Sequence, residues 1–240
     1  MRHDGRTPET LRTLDLIPDF IDCASGSVLF SAGRTRVICT ATVQEDVPRW
    51  MKGKGKGWVT AEYGMLPAST GDRKQRDASK GKLDGRSVEI QRLIGRSLRA
   101  VVDMAALGER TVWIDCDVIQ ADGGTRCASI SGGYVALHRA LAVLVDKGLL
   151  PELPLTASVA AVSCGIVAGE ALLDLDYRED STAEVDLNVV MTNTGKLIEV
   201  QGTAEGAPFD RTQLDRLLEL GAIGAAQIES AQVRAVAHGR

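Results

Sequence analysis

Two hydrophobic spacings alternate along the chain. Residues 26–30 and 36–43 are apolar and β-branched runs broken at Gly33, and they predict two strands joined by a turn. From residue 87 to 107, Ile90, Ile94, Leu98, Val101, Val102 and Ala105 recur at helical spacing. Glu89, Arg92, Arg96, Arg99 and Asp103 occupy the opposite face, so one helix is expected, stopped by Gly108. Residues 111–121 alternate as a strand with Val112, Ile114, Cys116 and Val118 on one face, ended by Gly123-Gly124. A helix rich in Ala, Leu and Val follows over 129–146 and closes at Gly148, before Pro151.

The second half repeats this order. Residues 155–167 and 170–176 read as a hairpin about Ala168-Gly169, and 185–192 with 197–203 as another about Asn193-Thr194-Gly195. Asp210 is the expected N-cap of a helix ending near Gly221, with a further helix to about residue 237. Strands followed by helices, twice over, predict an α+β fold of two similar halves, with mixed sheets and packed helices, in a single domain over 1–240.

Length changes this picture little: 240 residues, 44% of them hydrophobic, can bury a sizeable core. No run approaches 18 consecutive apolar residues, and the N-terminal Arg2-His3-Asp4-Gly5-Arg6 lacks an apolar leader, so no membrane role is expected. The five widely spaced cysteines include no C-x-x-C pair and predict reduced, mostly buried thiols in a cytoplasmic protein. Three scattered histidines argue against a zinc site.

Charge changes it more. The net charge of −4 suggests indifference to nucleic acid, but its distribution does not. Residues 1–48 carry −2, residues 49–99 carry +8 from 13 basic and 5 acidic side chains, and residues 100–240 carry −10. The basic segment contains Lys52-Gly53-Lys54-Gly55-Lys56, then Arg73, Lys74 and Arg76, then Arg86, Arg92, Arg96 and Arg99 on the expected helix. Such a stretch is either a set of solvated loops or a surface following a phosphate backbone without reading bases.

Three places could carry chemistry. Gly123-Gly124-Thr125-Arg126 passes from strand to helix: small residues admit an anion to the backbone, and Thr125 and Arg126 add donors. The plainer meaning of Gly-Gly-Thr is a capped turn, and no Gly-Lys-Ser/Thr follows to make a Walker loop. Arg86, within Asp84-Gly85-Arg86, sits at a helix start against the helix dipole, where a guanidinium suits a bound phosphate. The acidic run from Asp174 to Asp186 places Asp180 in a loop and Asp186 on a strand, sharing a face with Glu184 and Asn188. Carboxylates so gathered are hard oxygen ligands for Mg²⁺ or general acids; a solvated acidic loop is the alternative.

Taken together, these motifs resemble the ribonuclease PH family of phosphorolytic exoribonucleases nearly end to end. The resemblance runs through residues 2–6, Trp58-Val59-Thr60-Ala61-Glu62-Tyr63-Gly64-Met65-Leu66-Pro67, Asp84-Gly85-Arg86, Gly123-Gly124-Thr125-Arg126, Asp180…Asp186 and Glu199-Val200-Gln201-Gly202-Thr203-Ala204-Glu205. It implies that Arg86, Gly124, Thr125 and Arg126 bind inorganic phosphate. It implies that Asp180 and Asp186 are the catalytic pair, holding Mg²⁺ or another divalent ion or assisting the leaving group. Arg73 and Arg76 fall in the stretch the family associates with RNA and subunit contacts, and Arg92, Arg96 and Arg99 extend that basic surface. The expected activity is phosphate-dependent removal of nucleotides from the 3′ ends of precursor tRNA and structured RNA such as rRNA. Nucleoside diphosphates are released, and the reaction reverses as nucleotide addition. The expected assembly is a homohexamer built as a trimer of dimers. Two other readings are a non-catalytic RNA-binding ring subunit of an exosome-like assembly and a small-molecule phosphotransferase. The first is disfavoured by the presence of Arg86, Arg126, Asp180 and Asp186, the second by the basic segment and the missing nucleotide loop.

Overall fold

The computed structural model describes residues 2–82 and 84–237. Strands β1 (Leu14–Pro18), β2 (Gly26–Ala32), β3 (Thr35–Gln44), β4 (Trp58–Met65) and β5 (Thr111–Gln120) form one sheet in the order β1-β2-β3-β5-β4. All neighbours run antiparallel except β4 and β5, which are parallel. A parallel pair needs a crossover. The segment between β4 and β5 supplies it, with the short α1 (Asp77–Lys80) and the long α2 (Gly85–Arg99), which packs on β4. Period-two patterning sets the inner face: Val112, Ile114, Cys116 and Val118 are buried, while the side chains between them are not.

Strands β6 (Val159–Val167), β7 (Glu170–Leu173), β8 (Val185–Thr192) and β9 (Leu197–Ala204) make a second, antiparallel sheet in the order β7-β6-β8-β9, with α5 (Tyr177–Asp180) between β7 and β8. Helix α4 (Thr125–Asp146) packs on β2 and β3 of the first sheet and on β6 of the second. A helix buried on both sides must be apolar nearly all round. It is long and apolar enough to cross a membrane, yet 78% of its apolar window lies buried inside the fold. One continuous cluster of buried side chains reaches both sheets and α2, α4 and α6. Four cysteines are buried, Cys23 is exposed, and all five are free thiols.

The helix expected over 87–107 is two. Helix α2 stops at Arg99, and α3 (Met104–Leu107) restarts after Asp103, whose carboxylate accepts from the N–H groups of Ala105 and Ala106 at 2.9 and 3.0 Å. Between them Val102 pairs with Leu155 as a β-bridge, and the Asp103 N–H donates to the Pro154 carbonyl at 2.9 Å. A partner fifty residues away therefore holds the segment extended, which local spacing cannot register.

Conversely, the two C-terminal helices are one, α6 (Arg211–Ala237). Gly221 does not end it. A Cβ on Gly221 would stand 2.9 Å from Val189 Cγ2, and one on Gly224 2.8 Å from Leu173 Cδ1, so these glycines let the helix lie close on the second sheet. The strand expected over 170–176 ends at Leu173 because Asp174 turns left-handed, with φ of 54°. The edge strands β1 and β4 were not expected from the spacing.

Candidate active site

The turn between β5 and α4 runs through Gly123 and Gly124 with φ of 77° and 67°, the left-handed region open to glycine without strain. A Cβ on Gly123 would also stand 2.6 Å from the Leu175 carbonyl oxygen. Helix α4 begins without a side-chain cap and without an acidic residue in its first turn. Its first N–H groups, with no partners in the helix, are thus left for an anion. Thr125 is buried and its hydroxyl lies 2.9 Å from the Tyr63 hydroxyl of β4. Arg126 donates to Gln201 Oε1 of β9 at 2.5 Å and stands 3.7 Å from Glu89 of α2, and the Gln201 amide donates to that carboxylate at 2.8 Å. Glu89 and Gln201 therefore set the direction of the guanidinium.

Arg86, in the first turn of α2, is exposed and makes no ion pair among the described residues. Its charge nevertheless acts on Tyr63, Asp180 and Asp186, the same three groups on which Arg126 acts. Asp180 closes α5 and Asp186 lies on β8. Burial raises the Asp180 carboxyl above the usual range against the pull of Arg86, Arg126 and Arg12, and Glu205 adds to the rise. Burial likewise raises Asp186, helped by the neighbouring Asp180 and opposed by Arg126, the Asn188 hydrogen bond and Arg86. Asn188, on the same face as Asp186, is buried and accepts from the Cys127 thiol at 3.2 Å.

Cationic and acidic candidates, 54 to 100 residues apart in sequence, thus act on one another. Two partly buried carboxylates, one of which makes the other harder to ionise, are oxygen donors a divalent cation would relieve. The residues present fit such an ion.

No role legible in the sequence attaches to the residues that brace α5. Asp176 caps it, accepting from the N–H groups of Arg178 and Glu179 at 3.0 Å each. The buried Glu179 pairs with Arg2 at 2.6 Å and Arg6 at 3.4 Å, and Asp176 meets His3 Nε2 at 2.5 Å. His3, Asp176 and Glu179 could together hold a metal ion by distance alone, but their oxygens are already committed to these arginines, His3 and backbone amides. No local signal joins residues 2–6 to residues 174–179; only the fold does.

Among the basic residues, Arg73, Arg76 and Arg92 are exposed. Arg76 and Lys74 line a cleft of about 340 Å³ that also reaches Tyr63. Arg96 and Arg99 are differently employed. Arg96 grips Glu199 of β9 through two hydrogen bonds of 2.6 and 2.8 Å. Arg99 turns inward, donating to the Val59 carbonyl at 2.8 Å and stacking 4.4 Å over the Trp58 ring. Arg99 is thereby less available to RNA than its charge suggests, while Arg96 stays exposed with its charge met by Glu199.

An α+β fold with an anion-ready helix terminus facing paired carboxylates marks a class of enzymes acting on phosphate esters. Residues 10–142 match domain 1 of the 3′ exoribonuclease family and residues 157–224 match domain 2, and the chain belongs to this family. It is 56% identical over 231 residues to Ribonuclease PH of Syntrophomonas wolfei, covering 96% of this chain and 97% of that one. Among solved structures it resembles rice (Oryza sativa) Rrp46, with a TM-score of 0.79 and 19% identity over 98% of this chain and 100% of that one. It also resembles a chain of the Archaeoglobus fulgidus exosome with RNA bound to the active site, with a TM-score of 0.80 and 24% identity over 95% and 91% of the two chains.

Proposed function

We propose that this chain is a phosphate-dependent 3′-to-5′ exoribonuclease acting on the 3′ ends of precursor tRNA and other structured RNA. The observation that supports the reading is that the charges of both Arg86 and Arg126 act on Asp180 and Asp186, with Thr125 preceding Arg126 at the start of α4. Hydrogen phosphate is held by the two guanidinium groups, the Thr125 hydroxyl and the first amides of α4, which offset the repulsion between two anions. A phosphate oxygen attacks the terminal phosphorus and the bond from that phosphorus to the 3′ oxygen of the preceding residue breaks. The terminal nucleotide departs as a nucleoside diphosphate, and the proton of hydrogen phosphate ends on the freed 3′ oxygen. Asp180 and Asp186, with carboxyls raised by burial, are the groups of this chain able to relay it.

Asp180 and Asp186 would also hold Mg²⁺, which when bound supplies positive charge to the phosphoryl oxygens. The product keeps a phosphoanhydride, so the reaction runs back as nucleotide addition. Arg73 and Arg76, exposed on the segment before α2, guide the RNA backbone, and the working assembly is a hexamer of three dimers.

The test is the identity of the product from an RNA labelled in its 3′-terminal nucleotide. A nucleoside diphosphate that forms only when phosphate is present is expected; a nucleoside monophosphate formed equally well without phosphate refutes the reading.

A further inference from the structure

Arg12 lies outside every motif assigned to chemistry, yet it is only 8% exposed and uses its whole guanidinium. Nε donates to Asp174 Oδ2 at 3.0 Å and Nη2 to Asp174 Oδ1 at 2.7 Å, a two-pronged grip that the Arg12 backbone N–H completes at 2.8 Å. The outer nitrogens reach the other half of the chain: Nη1 donates to the Asp122 carbonyl and Nη2 to the Gly123 carbonyl at 3.5 Å. Thr35 reinforces the same turn, its hydroxyl donating to the Gly123 carbonyl at 2.7 Å and accepting from the Asp122 N–H at 3.0 Å. A peptide unit is planar and trans, so a fixed carbonyl fixes the opposite direction of the next N–H. Holding the carbonyls of Asp122 and Gly123 therefore aims the amides of Gly123 and Gly124.

At its other end Arg12 holds a residue in an uncommon conformation. Asp174 is 6% exposed and left-handed, which points its carboxylate at Arg12 while its carbonyl accepts from Arg2 at 3.0 Å and from Arg6 at 2.9 Å. Two residues later Asp176 caps the short helix that ends at Asp180. One guanidinium thus spans the turn offered to phosphate and the bend that launches the catalytic aspartate.

We propose that Arg12 is a positioning residue that fixes the phosphate turn and the Asp180-bearing helix relative to each other. The inference rests on the phosphorolytic reading above. Arg12 is assigned no contact with phosphate or RNA: besides the charge it directs toward Asp180, it acts through Asp174 and the two carbonyls.

The experiment compares the full chain with Arg12→Lys and with the double variant Arg12→Met, Asp174→Asn, varying phosphate and RNA separately. Lysine keeps a charge beside Asp174 but lacks a fork that spans carboxylate and carbonyls. The double variant leaves no unpaired buried charge, and asparagine tolerates the left-handed backbone at position 174 and can still accept from the residue 12 N–H, so the tie is removed with little disturbance of the fold. Phosphate-dependent release of nucleoside diphosphate by the unaltered chain comes first, so that failure of the underlying reading is seen before any variant is compared. In both variants, shown folded by their circular dichroism, the KM for phosphate should rise about tenfold to a hundredfold, the range for a displacement of about an ångström. The KM for RNA should stay within about twofold of the unaltered value, a margin of about 0.4 kcal/mol. An unchanged phosphate KM in either variant overturns the proposal. A loss confined to kcat with both KM values intact also overturns it, because that is what a smaller folded fraction produces.

Discussion

Burial raises the carboxyls of Asp180 and Asp186, and Asp180 raises Asp186 further. Removing one charge should therefore help the fold while harming the chemistry. Asp186→Asn is expected to lower phosphorolytic turnover by about a hundredfold or more with a melting temperature no lower than that of the unaltered chain; steady-state kinetics and thermal melts without added divalent ion check both. Asp176 has the opposite sign. Burial pushes its carboxyl up, but the Glu179 N–H, His3 and the Arg178 N–H pull it below the usual range. A depressed carboxyl contributes stability above its unfolded value of about 3.9 and loses it as pH falls through the folded value. Asparagine remains a good N-cap, so Asp176→Asn isolates the charge. The variant should melt lower at pH 7, and the gap should close as the melts are repeated below about pH 4.

At the scale of elements, whatever depends on neighbouring residues could be read from the sequence. The alternation of Val112, Ile114, Cys116 and Val118 is intrinsic to β5, and both hairpins of the second sheet follow from their own strands and turns. What depends on a distant partner could not. The Val102–Leu155 bridge splits a helical pattern, and the packing of Gly221 on Val189 carries a helix through a residue that ordinarily ends one. The candidate site divides in the same way. Arg86, Gly124–Arg126, Asp180 and Asp186 announce themselves by type and motif. Tyr63 and Gln201 lay within recognised motifs but had no visible role until Thr125 and Arg126 were set beside them. Arg2, Arg6 and Arg12 looked like ordinary charges. The glycine contacts give a direct check. Gly221→Val would force a branched side chain onto a buried neighbour and should destabilise the protein by about 1–3 kcal/mol, measured by denaturant unfolding, whereas Ile223→Ser, on the exposed side of α6, should cost much less.

At the scale of the whole molecule, a mild net charge conceals a +8 segment in a chain otherwise acidic. Arg73 and Arg76 are exposed and Arg76 lines the cleft, while the exposed Arg96 is paired with Glu199 and Arg99 is tied to the Val59 carbonyl. RNA affinity should therefore fall steeply with salt. Arg73→Ala and Arg76→Ala should each reduce the slope of log affinity against log salt by about 0.7, the loss of one single-strand phosphate contact. Arg99→Ala should leave the slope unchanged. Binding titrations at several salt concentrations distinguish them.

Arg2 meets Glu179 across 177 residues of chain, Arg12 meets Asp174 across 162, and Arg12 meets Asp122 across 110. Contacts closed over such separations carry the largest loop entropy and form late. A chain that has made its helices and hairpins but not yet joined its beginning to its far half has no assembled phosphate turn opposite Asp180. If the site is as proposed, a chain still in the course of folding is expected to leave the RNA around it intact, and to gain the ability to shorten RNA only as these closures are made.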